Sequence, residues 1–164
     1  MSCKNLYESL SVELVLHAKN KQTLKQLLLN GADINYQAKN GWCLLFELIT
    51  LNQSQTLSKL RNYPLNLYIK DHKNRSALFW TIYHGHNDIL HTLITMGYAV
   101  NEEIGKDPYA LHYLIYKNNS TILQTLLESG LKTNTKDPYH NTVLDYAYLY
   151  QHKEMIHTLY QHHT

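Results

Sequence analysis

The chain has 164 residues, of which 44% are hydrophobic and 17% are charged, a composition that is typical of a soluble globular protein and excludes a largely disordered one. Its 15 basic and 13 acidic residues leave a net charge of +2, which is too small to indicate nucleic-acid binding by itself. No run approaches the roughly 18 apolar residues of a membrane span, and Met1–Leu10 lacks the apolar segment of a secretory signal, so we expect a cytoplasmic protein without membrane association.

Aliphatic residues recur every 33 residues along the whole chain. Repetition at this period indicates stacked supersecondary units that bury their apolar faces against one another. Three columns hold this phase: Leu27, Leu60, Leu93, Leu126 and Leu159; Leu24, Leu57, Leu90, Leu123 and Ile156; and Leu45, Leu78, Leu111 and Leu144, with Val12 one period earlier.

Each period contains two stretches with apolar residues at helical spacing, which predicts two short amphipathic helices. A turn residue separates the two helices of a pair, at Asn52, Gly85, Asn118 and Gln151. After the second helix, Gly31, Gly97 and Gly130 predict a left-handed cap. Pro64 occupies this place in the second period, and because its φ is locked near −65°, we expect a different exit there.

Three short segments resemble the ankyrin-repeat family. Asn30–Asn35 resembles the helix exit of that family, Gly85-His86 its turn, and Tyr109–His112 its helix entry, and the resemblance covers about residues 10 to 161. It implies an all-α repeat solenoid in a single domain, 1–164, of about five stacked units, each a helix-turn-helix with a β-hairpin finger. The approximate units are 4–36, 37–69, 70–102, 103–135 and 136–164.

The finger tips form a further column at the same period, consisting of Gly41, Asn74, Asp107 and His140. Asn, Asp and His are the non-glycine residues that most often adopt positive φ, so we expect a left-handed tip in each finger. Ser76 and Thr142 precede inner helices and are predicted to cap them. Glu102 and Glu103 are predicted to lie in a solvated approach to the third finger.

No constellation of catalytic, metal-binding or cofactor-binding residues is predicted. His152 and His157 are five residues apart, which places them on different faces of a helix. Cys43 precedes a buried helix and is interpreted as a packing residue, and a disulfide with Cys3 stays open as an alternative to two reduced thiols. A hydrolase with an unrecognised site is the minor alternative.

The family resemblance implies a binding surface on the concave face, formed by the fingers and the exposed side of the first helix of each pair. These positions hold aromatic and basic residues, the types that are enriched at interface cores. The predicted partner-binding residues are Lys39, Trp42, His72, Lys73, Arg75, Tyr83, His84, Lys106, Tyr116, Lys117, Tyr139 and Tyr150. Because the predicted partner-binding residues include five Lys and Arg residues and no carboxylate, we expect a partner with an acidic patch.

The predicted function is a non-catalytic protein-binding module that acts as a scaffold or as an inhibitor masking its partner, and we expect a monomer. Abundant Lys, Asn, Ile and Tyr favour a bacterial source, where small standalone ankyrin proteins resemble immunity proteins against toxins or effectors directed at host proteins. The alternative is nucleic-acid binding through the basic and aromatic stripe, which the small net charge disfavours.

Overall fold

The computed structural model describes residues 3–162, with side chains from residue 10 onward, and α-helices make up nearly all of the regular structure in that part of the chain. None of these helices combines the length and apolar character needed to cross a membrane. The helices are α1 (Cys3–Leu16), α2 (Lys21–Leu29), α3 (Leu44–Thr50), α4 (Ser54–Lys59), α5 (Ala77–His84), α6 (Asn87–Thr95), α7 (Val100–Ile104), α8 (Ala110–Tyr116), α9 (Ser120–Glu128), α10 (Val143–Leu149) and α11 (Lys153–Gln161).

The helices form two layers, as the 33-residue period predicts. Inner helices α3, α5, α8 and α10 pack against one another in chain order, and outer helices α4, α6 and α9 do the same behind them. Each inner helix is followed by its outer helix, and the core lies between the layers. The aliphatic columns contribute to this core in every helix pair, and residues such as Leu57, Leu90 and Leu126 are completely buried. The predicted all-α repeat solenoid is therefore confirmed.

Helix α1 departs from the phase of the later inner helices. Val12, which continues the Leu45 column, is 38% exposed, whereas Leu14 and Ala18 are buried. The prediction that Val12 belongs to the core column is therefore wrong. Helix α1 packs mainly against α2 and less extensively against α3.

The predicted turn residues adopt left-handed conformations. Between the helices of a pair, φ is positive at Asn52, Gly85, Asn118 and Gln151, and at the outer-helix exits it is close to 90° at Gly31, Gly97 and Gly130. The second pair exits differently, as Pro64 requires: α4 continues into a single 3-10 turn, Leu60–Asn62, and Tyr63 then takes an extended conformation.

Three fingers are tight turns with little strand structure. Positive φ is observed at the tips Gly41, Asn74 and His140, and within residues 3–162 the β-pairing amounts to one antiparallel bridge between Gln37 and Cys43. Gly41 is also required sterically, because a Cβ there would lie 2.7 Å from the backbone nitrogen of His72 in the next finger. The first two fingers therefore pack backbone against backbone.

The third finger is replaced by helix α7, so the predicted left-handed tip at Asp107 is wrong. Val100 and Ile104 are one helical turn apart and both are buried, which favours a helix. Glu103 is 2% exposed rather than solvated, which corrects the prediction for this residue, and its carboxylate lies 3.8 Å from the Lys70 ammonium. Asp107 is fully buried and does not belong to the positive-φ tips.

Asp107 instead joins neighbouring helix pairs. One carboxylate oxygen accepts hydrogen bonds from the backbone amides of Tyr109 (2.8 Å) and Ala110 (3.1 Å), at the start of α8. The other oxygen accepts one from the backbone amide of Ser76 (3.0 Å), at the start of α5. A single side chain thus holds the beginnings of two inner helices together.

The predicted helix caps are confirmed at two inner helices. Ser76 Oγ accepts a hydrogen bond from the backbone amide of Phe79 (3.1 Å). Thr142 Oγ1 accepts one from the amide of Asp145 (3.2 Å), and the Asp145 carboxylate accepts one from the amide of Thr142 (2.7 Å). This reciprocal arrangement is a capping box, which satisfies two amides that lack partners inside α10.

Candidate partner-binding face

Six aromatic side chains form a continuous row of ring contacts across the inner helices. We call this row the aromatic ladder; it consists of Trp42, Trp80, Tyr83, Tyr113, Tyr116 and Tyr150. Successive ring centroids lie 5.0, 5.6, 5.6, 5.9 and 5.7 Å apart. Aromatic pairs at such separations attract one another beyond the effect of buried area alone. The ladder therefore links four successive helix pairs into one surface.

Helical spacing and the 33-residue period together build the ladder. Trp80 and Tyr83 are three residues apart on α5, which places both rings on one side of that helix. Tyr113 and Tyr116 repeat this arrangement on α8. Trp80 is only 9% exposed, whereas Tyr83 is 41% and Tyr116 56% exposed. Helices α5 and α8 thus each contribute a more buried ring that supports an exposed one.

Histidine side chains pack along the ladder. The His84 ring stacks on Trp80 at 5.9 Å and on His86 at 5.6 Å. Burial lowers the pKa of His84 below its ordinary value of 6.5, and the positive charges of His86 and Lys117 lower that pKa further. His112 Nε2 lies 2.6 Å from the hydroxyl of Tyr150 and forms a hydrogen bond with it.

Two predicted basic residues lie over ladder rings. The guanidinium of Arg75 lies 4.3 Å from the centre of Trp80 and 2.6 Å from a carboxylate oxygen of Asp71. Burial raises the pKa of the Asp71 carboxyl, but the hydrogen bonds from Arg75 and from nearby amides outweigh burial and hold that pKa below 3.8. The ammonium of Lys117 lies 5.2 Å from the centre of Tyr83. Both placements are cation–π geometries.

The structure brings together seven of the twelve predicted residues. Ring, cation–π or stacking contacts join these seven to the ladder: Trp42, Arg75, Tyr83, His84, Tyr116, Lys117 and Tyr150. The other five take no part in the ladder's ring contacts and are exposed on the fingers or in the turn after α7: Lys39, His72, Lys73, Lys106 and Tyr139. Lys106 lies 3.9 Å from Glu102 in an exposed pair.

Sequence reasoning did not identify the more buried part of the ladder. Trp80 and Tyr113 are 33 residues apart, and each lies one helical turn before a predicted tyrosine. The recurrence of an aromatic residue three positions before Tyr83 and again before Tyr116 could have identified these two rings. Asp71 and Glu102 were also missed as the carboxylates that approach Arg75 and Lys106, because both lie outside the finger and helix columns that were considered.

Among residues 10–162, whose side chains the structure describes, no three His, Cys, Asp or Glu side chains are grouped closely enough to hold a metal ion. Cys43 is 1% exposed, and burial raises the pKa of its thiol to about 11. The thiolate is therefore scarce at neutral pH, and Cys43 packs in the core as the sequence indicated.

Comparison with known proteins agrees with this architecture. A protein-family profile for ankyrin repeats (three copies) matches residues 14–104, which is more than half of the chain. A relative from Acanthamoeba polyphaga mimivirus, named as an ankyrin repeat protein, is 36% identical over 69 residues. That alignment spans 42% of this chain and 43% of the relative, so the chain covers less than half of the relative's length. The repeating helix pairs and this profile match establish that the chain belongs to the ankyrin-repeat family.

Proposed function

We propose that this protein binds a partner protein through the face formed by its inner helices and fingers, which we call the inner face. Ankyrin repeats are in general protein–protein interaction modules. The observation that carries the proposal is the aromatic ladder, because Tyr, Trp and Arg supply most of the energy at interface hot spots. Its two most exposed phenols, Tyr83 and Tyr116, are placed to contact a partner.

The ladder supports binding without a large ordering cost. Each ring is held by its neighbours before any partner arrives, as in the contacts of Tyr83 with Trp80 and Tyr113. A surface whose side chains are already fixed loses less conformational entropy on association. This preorganisation suits an inhibitor that masks its partner, such as an immunity protein against a toxin, or an effector that binds a host protein.

Exposed lysines around the ladder favour a partner with an acidic patch. Lys39, Lys73 and Lys117 are exposed on the fingers and at the end of α8. Complementary charge of this kind accelerates association more than it increases final affinity. Arg75 contributes less to this attraction, because Asp71 balances its charge.

The same proposal includes a monomeric, non-catalytic protein of the cytoplasm. The absence of an activated nucleophile at the buried Cys43 supports a binding role rather than a covalent one. The Cys43 thiol is unpaired and buried, which is compatible with a reducing compartment.

The test is quantitative affinity capture with matched double variants. Tyr83→Ala with Tyr116→Ala removes the two exposed rings of the ladder, and we expect the affinity for captured partners to fall by about 2 kcal/mol or more. Tyr148→Ala with Tyr160→Ala is the control, because these tyrosines are similarly exposed, at 51% and 53%, and the hydroxyl of Tyr148 on α10 contacts that of Tyr160 on the outer helix α11 rather than the ladder. The capture is repeated after nuclease treatment and at increasing salt.

A partner that both double variants retain equally would show that the inner face is not the binding surface. Nucleic acid is the alternative ligand, and it would give nuclease-sensitive capture whose affinity falls steeply with salt, by about 0.9 log units per log unit of salt for each phosphate contacted.

A further inference from the structure

The outer layer opens into a groove between α2 and α4, of about 600 Å³. On one side of this groove, α4 has only six residues and is followed by a 3-10 turn, Leu60–Asn62. The outer helices α4, α6 and α9, by contrast, pack directly on one another. We call this feature the α2–α4 groove; it lies among the outer helices, away from the aromatic ladder.

The floor of the α2–α4 groove is largely apolar. Leu24 and Leu60 are 2% and 5% exposed, and Leu28 is half-buried beside them. Leu29, at the end of α2, is 73% exposed, the largest exposed fraction among the large apolar side chains of the described residues. Burying such a side chain fully would contribute about 1.5 to 3 kcal/mol.

One buried polar atom in the lining lacks a partner. Thr56 is 3% exposed, and its hydroxyl oxygen has no hydrogen-bond partner. A buried hydroxyl without a partner costs about 1 to 3 kcal/mol.

All the charged residues that line the groove are basic. Lys21, Lys25 and Lys59 surround the apolar floor, and the lining contains no Asp or Glu. Lys21 donates a hydrogen bond to Gln55 Oε1 (3.3 Å), which leaves further protons of its ammonium for another acceptor. Three positive charges around leucines match a ligand with an apolar centre and carboxylates at its edges.

We propose that the α2–α4 groove is a second docking site, which binds a short amphipathic helix of an acidic protein. Apolar side chains at i, i+3 or i+4, and i+7 of that helix lie on the leucine floor, and its Asp or Glu residues pair with Lys21, Lys25 and Lys59. Helix α2 has nine residues and is about 13 Å long, which offers contact to roughly two turns of a bound helix. This site is independent of the inner face, so the protein could join two partners.

The test measures binding of a fluorescein-labelled synthetic peptide by anisotropy. The peptide has about four helical turns, with Leu along one face and Glu elsewhere. Saturable binding to the wild-type protein is expected. Lys21→Gln, Lys25→Gln and Lys59→Gln together should weaken binding about tenfold, since three exposed charge pairs are lost. The control triple variant changes the same net charge at exposed positions of the later repeats: Lys132→Gln, Lys136→Gln and Lys153→Gln.

Further arms separate the apolar floor from the charged rim and the groove from the inner face. A scrambled peptide of equal composition and a Glu-rich peptide without leucine should both bind more weakly than the amphipathic one. The Tyr83→Ala, Tyr116→Ala variant should bind the amphipathic peptide as the wild type does. Equal binding by the two triple variants, or equal binding of the leucine-free peptide, would overturn the proposal. Dimerisation of the wild type that Lys21→Gln, Lys25→Gln and Lys59→Gln together abolish, without saturable binding of the amphipathic peptide, would also overturn it, because a second copy would then occupy the groove.

Discussion

Individual residues at turns and helix starts explain why the repeat can form with only 6 glycines. Positive φ is adopted by Asn52, Asn118 and Gln151 where the third pair has Gly85, and Asn tolerates this conformation better than most side chains. The caps matter similarly, because the amides of the first helical turn have no partners within a short helix.

Removal of the capping box at α10 should destabilise the protein measurably. Thr142→Ala eliminates the acceptor for the amide of Asp145, and we expect the free energy of unfolding to fall by about 1 kcal/mol. Urea denaturation followed by circular dichroism measures the change. Thr142→Ser keeps the hydroxyl and should restore most of the loss. A serine variant as unstable as the alanine variant would show that the threonine methyl group, not the cap, is responsible.

At the scale of elements, helix α7 shows how one repeat can change its finger without losing its phase. Asp71 and Asp137 begin the second and fourth fingers, and Asp107 stands three residues later than their period predicts. The segment from Asp107 to the start of α8 is shorter by the same amount, so Leu78, Leu111 and Leu144 stay in phase. In place of a finger turn, the buried carboxylate of Asp107 accepts hydrogen bonds from the backbone amides at the starts of α5 and α8.

Loss of the Asp107 carboxylate should be much more costly than loss of an exposed one. Asp107→Ala removes acceptors for the amides of Ser76, Tyr109 and Ala110, and we expect the free energy of unfolding to fall by about 3 kcal/mol or more. Asp33→Ala is the matched control, because Asp33 is exposed and accepts one local amide, from Asn35. Denaturant midpoints that shift equally for the two variants would contradict the role assigned to Asp107.

At the scale of the whole molecule, the inner face and the core share residues, so the charge state of the face affects stability. The lowered pKa of His84 means that its stabilising contribution is present above pH 6.5 and is lost as the pH falls through the folded-state pKa. Burial raises the pKa of Glu103 above 4.5, although Lys70 and Lys106 oppose this shift. The contribution of Glu103 to stability depends on pH in the opposite direction. It is present below pH 4.5 and is lost as the pH rises through the folded-state pKa of Glu103.

A histidine variant isolates the first of these effects. His84→Gln cannot protonate, so we expect its Tm to fall less than that of the wild type between about pH 7.5 and about pH 5. Glu103 contributes equally to both proteins and cancels in the difference. His91→Gln, at an exposed position of α6, should follow the wild-type profile. Parallel Tm profiles for wild type and His84→Gln would contradict the assignment.

The candidate site was predicted only in part, for a physical reason. Exposure of Tyr83 and Tyr116 follows from their place on an inner helix, which the period and helical spacing indicate. The contacts of Tyr83 with Tyr113 and of Arg75 with Asp71 depend on how neighbouring repeats pack and how a finger folds back. No segment considered alone contains that information.

The fold itself was largely determined by the sequence, because an apolar residue every 33 positions and turn residues that tolerate positive φ act locally and identically in each repeat. Tertiary structure decided the exceptions. Helix α7 forms with Val100 and Ile104 buried, and the α2–α4 groove lies between the outer helices of the first two pairs. Helix α7 and the α2–α4 groove both depend on contacts between repeats. A short segment gains most of its helical stability from the surface it packs against, and its own sequence does not specify that surface.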